Sequence, residues 1–94
     1  MAKVFYKSLI PNDEPQWLLN VQQAVKEVTG VMHMRGDERD WKNLKSFIDR
    51  AIEAQHSRGI MQEENVRTEL RTDNGRTALI IFRNYQIMQT YYIE

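Results

Sequence analysis

Residues 66–83, VRTELRTDNGRTALIIFR, decide the fold of this chain. Asn74-Gly75 at its centre tolerates positive φ at both positions, as a two-residue type I′ turn requires, and is a strong short-range hairpin signal. The turn joins a strand beginning at Val66 to a second running from Arg76 to Arg83. A third strand, Gln86 to Ile93, follows almost at once. With Asn74 and Gly75 in the turn, Asp73 faces Arg76, Thr72 faces Thr77 and Leu70 faces Leu79. Val66, Thr68, Leu70, Leu79 and Ile81 then share one face of the sheet. Arg67, Glu69, Arg71, Ala78, Ile80 and Phe82 share the other.

The segment Ala78-Leu79-Ile80-Ile81-Phe82 is apolar on both faces, and such a strand is usually covered on both sides. Extending the register through a tight turn at Asn84-Tyr85 sends Met88 and Tyr92 to the Leu79 face. Ile87, Tyr91 and Ile93 go to the Ile80 and Phe82 face. That second turn is the weak point, because Tyr85 is poorly suited to positive φ. A slip of one residue exchanges every side chain of the last strand.

Upstream, Val4 to Ile10 reads as a short first strand stopped by Pro11. Its lysines, Lys3 and Lys7, suit an edge position. Asn12 or Asp13 can cap a helix that has Pro15 in its first turn. Trp17, Leu18, Val21, Ala24, Val25 and Val28 form its apolar stripe, and Gly30 is expected as a left-handed cap. Val31 to Met34 is a connector or a brief strand. Asp37 caps a second helix, Glu38 to Ser57, with the stripe Trp41, Leu44, Phe47, Ile48, Ala51 and Ile52. Gly59 ends it. The order β-α-α-β-β-β implies an α+β fold, two helices packed on one face of a small antiparallel sheet with a C-terminal meander.

At 94 residues the chain reads as a single domain, 1–94, with a core of modest size. Thirteen basic and thirteen acidic side chains cancel, which weakens a general nucleic-acid reading without excluding a local patch. The sequence contains no cysteine, so disulfides, thiolate catalysis and thiolate metal sites are excluded. The N-terminus lacks a signal-peptide pattern, and no stretch approaches the roughly 20 apolar residues of a membrane span. A cytoplasmic protein without membrane contact and without a cofactor is expected.

No motif names a reaction. His33 and His56 form no zinc-binding spacing. His56 sits where an imidazolium favours a helix C-terminus. His33, between two methionines, is the candidate base for a small hydrolase, or the mark of a phosphorylated-ligand site. Asp13, Glu14, Asp37, Glu38 and Asp40 fall where helix starts favour negative charge, which explains them without chemistry. Arg35-Gly36-Asp37 spells an adhesion tripeptide, but a capping role accounts for its aspartate.

The balance of these features favours a non-enzymatic binding or regulatory protein. Two helices side by side would cover one face of a four-stranded sheet and leave the other open; the alternative is that each helix covers one face. Ile80, Phe82, Ile87, Tyr91 and Ile93 are the expected contact surface for a protein partner or a second copy. An inhibitor of host machinery from a virus or mobile element would have this character. The alternative is RNA or single-stranded DNA binding through Arg67, Arg71, Arg76 and Arg83, with Arg39 and Lys42 of the second helix, and tyrosines for stacking.

Overall fold

Asn74 and Gly75 both adopt left-handed backbone, with φ of 53° and 77°, and Asp73 faces Arg76 across the turn they form. The computed structural model describes residues 4–8, 14–30, 34–62 and 65–93. Its elements are β1 (Val4–Ser8), α1 (Gln16–Thr29), α2 (Glu38–Ser57), β2 (Val66–Asp73), β3 (Arg76–Arg83) and β4 (Gln86–Ile93). The fold is α+β, with a four-stranded antiparallel sheet in the order β1-β4-β3-β2. No helix among the described residues is long and apolar enough to cross a membrane.

The first hairpin has the expected register throughout, from Val66 facing Arg83 to Asp73 facing Arg76. The second turn also closes on two residues, Asn84 at φ 51° and Tyr85 at φ 68°. Beyond it the ladder departs from simple alternation. Phe82 faces Ile87 and Ile81 faces Gln89, so Met88 is an extra residue, a β-bulge in β4.

That one residue corrects the expected faces of the last strand. Tyr91 faces Leu79 and is fully buried in the core, and Ile93 packs against the same core. Tyr92 moves to the opposite face, where it meets Phe5 of β1. The physical reason is the two-residue side-chain period: one inserted residue reverses the facing of everything after it.

Both helices contribute to a single apolar core. Trp17, Leu18, Val21 and Val25 of α1 meet Trp41, Leu44, Ile48 and Ile52 of α2 over Leu79, Ile81, Met88 and Tyr91 of the sheet. Ile80 and Phe82 lie outside this cluster. The helices therefore cover one face, as the paired apolar stripes require. Between them, the Asn20 side-chain amide donates to the Gln55 side-chain carbonyl at 2.8 Å.

Local signals set the helix ends. The Asp37 carboxylate accepts from the Asp40 backbone N–H at 2.9 Å, and the Asp40 carboxylate in turn accepts from the N–H groups of Arg35 and Gly36. At the other end of α2, Gly59 takes φ 73°. Its N–H donates to the His56 carbonyl while that of Ile60 donates to Gln55, a Schellman arrangement. Gly30, by contrast, is right-handed at φ −67°, so the left-handed cap expected there does not form. Pro15 occupies the N-cap position of α1 with no side-chain cap bond. The expected caps Asn12 and Asp13 lie outside the described residues.

Candidate binding face

The helix-free face of the sheet is built from alternating positions on all four strands. Lys7, Thr90, Ile80 and Glu69 form a continuous cross-strand row. Ile87, Phe82 and Arg67 form the next. Phe5 faces Tyr92, and Ala78 faces Arg71. Sheet alternation alone produces this grouping, because residues two apart on a strand point the same way.

Arginines cover much of its apolar centre. The Arg67 and Arg71 guanidinium carbons stand 5.3 Å and 5.2 Å from the centre of the Phe82 ring. Both distances are within cation–π range. Phe82 is consequently only 4 % exposed, and Ile80 on the same face is 6 % exposed, although no helix among the described residues lies over them. Arg71 also reaches the Glu69 carboxylate, 3.2 Å from Nε. The long arginine stems do what a second helix layer would otherwise do.

The periphery remains open. Phe5 is 49 % exposed, Ile87 is exposed, and Tyr85 at the β3–β4 turn is 83 % exposed. Tyr85 stands beside the roofed centre, its ring 5.5 Å from the Arg67 guanidinium. Arg67 thus spans two aromatic rings, one buried and one in solvent.

The expected contact residues separate. Ile80, Phe82 and Ile87 share the open face, whereas Tyr91 and Ile93 belong to the core beneath the helices. The basic candidates separate too. Arg67, Arg71 and Arg76 alternate onto the open face, while Arg83 is opposite Val66 on the helix side. Arg39 and Lys42 ride α2, across the sheet from Arg67, Arg71 and Arg76, and Lys42 is paired with Glu38 at 3.0 Å. No single basic surface joins both groups.

Phe5 and Lys7 are members of the face that the sequence reading missed. Their strand was recognised, but only its pairing with β4 reveals which side chains meet Tyr92 and Thr90. Tyr85 carried a visible signal, its poor fit to a positive-φ turn.

On the helix side, a groove of about 480 Å³ runs between α1 and β1, lined by Val4, Tyr6, Leu19, Lys26 and Tyr91 among others. The Tyr91 hydroxyl is buried with no hydrogen-bond partner among the described residues. Burial, then the nearby Tyr6 phenol and Glu14 carboxylate, push its pKa well above the usual tyrosine value. Among the described residues no group of three or more metal-ligating side chains converges. His33 lies outside the described residues.

No protein-family model matches this chain, and no curated protein or solved structure is detectably similar to it.

Proposed function

We propose that this is a small non-enzymatic binding protein whose helix-free sheet face docks a protein partner. The observation that carries the reading is Tyr85, a bulky residue held at φ 68° yet left 83 % exposed. Left-handed backbone costs a non-glycine residue about 1–2 kcal/mol. Packing within the fold returns little of that to a side chain standing in solvent. Strain kept at an exposed aromatic is a mark of function. Beside it stand Arg67 and Ile87, and the far end of the same face carries Tyr92 and Phe5, the aromatic and arginine chemistry that concentrates binding energy at interfaces. Lys7, Arg67, Arg71 and Arg76 outweigh Glu69 and Asp73 on this face, so the fitting partner is apolar with acidic flanks.

A second reading is favoured by one feature, the Arg67 guanidinium between the Phe82 and Tyr85 rings. An open tyrosine beside an arginine can stack a base and neutralise a phosphate of single-stranded RNA or DNA.

Affinity capture from host lysate tests both, using the wild-type chain beside a Tyr85→Ala/Arg67→Glu variant. The docking reading requires a protein retained by the first and lost by the second. Equal retention by both sinks it. Retained nucleic acid whose affinity falls steeply with salt supports the second reading instead.

A further inference from the structure

β2 is one of the two edges of the sheet, so the side of it turned away from β3 faces no strand among the described residues. Asp73 and Arg76 flank a two-residue turn and so exchange hydrogen bonds, as do the pairs formed by Arg71, Glu69 and Arg67. The Asn65 carbonyl, accepting from the Asn84 N–H at 3.2 Å, continues the same phase. Thr72, Leu70 and Thr68 therefore turn their N–H and C=O groups outward, to the open edge.

Along this edge the side chains form a code. On the helix-free face β2 presents Arg67, Glu69, Arg71 and Asp73, alternating positive and negative. Reversal about Leu70 inverts every sign. An antiparallel second copy with Leu70 opposite Leu70 sets Glu69 against Arg71 and Arg67 against Asp73, in both directions. These contacts fall at the non-hydrogen-bonded pairs of the new ladder, where Cα atoms are about 4.5 Å apart and side chains are closest. A shift that moves the axis to Glu69 sets that residue against itself and Arg67 against Arg71. Moving it to Arg71 sets that residue against itself and Glu69 against Asp73. Like charges directly opposite destabilise a strand pair. On the helix side, the favoured register brings Leu70 to Leu70 and sets Thr68, whose hydroxyl donates to the Asp49 carboxylate of α2, against Thr72.

We propose that a second copy of this chain pairs along β2, antiparallel and centred on Leu70, joining two four-stranded sheets into one of eight strands. The new ladder gains about six backbone hydrogen bonds from the outward groups of Thr68, Leu70 and Thr72. Glu69 already holds its own Arg71 at 3.2 Å, so two such pairs interlock around the axis as a ring of four charges. A protective edge blocks pairing with charge that a like strand cannot answer. Here the alternation is answered fully by the same strand reversed. β1, the other edge, carries Lys7 as the one charge within Val4–Ser8 and selects no register.

Arg67 serves both the paired edge and the docking face. The two are told apart by self-association of the purified chain, which needs no partner, and by capture with Tyr85→Ala alone, which leaves the β2 edge intact. Sedimentation velocity over rising concentration should show wild type as a reversible dimer that weakens with salt. Glu69→Arg or Arg71→Glu alone should leave a monomer, and the double exchange Glu69→Arg/Arg71→Glu should restore the dimer. Thr72→Pro removes an outward N–H and the hydroxyl contact with Thr77 while sparing the backbone bonds to β3, so it should give a folded monomer by circular dichroism. A wild type that stays monomeric at millimolar concentration overturns the proposal. So does a dimer indifferent to the single reversals, or a double exchange that fails to re-associate.

Discussion

Arg67 and Phe82 face each other across β2 and β3, and the Arg67 guanidinium carbon stands 5.3 Å above the Phe82 ring. The pair explains how an aromatic on a helix-free sheet face becomes buried: its cover comes from the neighbouring strand. A double-mutant cycle of Arg67→Ala and Phe82→Leu should give a coupling of about 0.5–1 kcal/mol, the range for cation–π pairs near solvent. Chemical denaturation of the four proteins measures it. A coupling near zero would mean that the arginine covers the ring without holding it.

Tyr85→Gly should separate stability from binding. Glycine takes left-handed backbone freely, so the variant should gain about 1 kcal/mol in urea unfolding. Partner retention should fall at the same time, because the exposed ring is gone. A more stable variant that binds as well as wild type would remove Tyr85 from the docking surface.

Tyr91 makes stability fall in alkali. The unfolded phenol ionises from about pH 10, whereas the buried phenol, its pKa raised chiefly by desolvation, keeps its proton. The folded state thus holds a proton that the unfolded state has released. This group's contribution is intact below about pH 10 and is lost above it, by about 1.4 kcal/mol per pH unit. Tyr91→Phe should match wild type within about 1 kcal/mol at neutral pH, since the hydroxyl has no partner among the described residues. Its advantage over wild type should then widen above pH 10. Parallel unfolding curves for the two proteins across that range would refute the assignment.

Asp37→Ala should cost about 1 kcal/mol by opening the first turn of α2. Asp37→Ser should retain most of that stability, since a hydroxyl can accept the same Asp40 N–H. Thermal unfolding of the two variants distinguishes a lost cap from a general loss of charge.

The α+β order, the helix stripes and the Asn74-Gly75 hairpin were legible in the sequence because each rests on local chemistry repeated over several residues. Trp17 and Val21, or Trp41 and Leu44, announce their faces by spacing alone. The fate of Tyr91 was not legible. Nothing local to Ile87-Met88-Gln89 marks a bulge, since the extra residue is defined only against Ile81 and Phe82 on the neighbouring strand. The roof over Phe82 was hidden for a similar reason. Alternation shows that Arg67 and Phe82 share a face, but the paths of the two arginine side chains depend on three-dimensional packing.

The bulge at Met88 gives β4 two zones of unequal tolerance to a change in chain length. Losing Met88 would leave Ile87 against Phe82 and Gln89 against Ile81, a plain ladder with Tyr91 still inside. Losing Thr90 instead would move Tyr91 opposite Ile80 and eject it from the core. A single-residue deletion is thus survivable on one side of Gln89 and ruinous on the other, a frame-like asymmetry within one short strand.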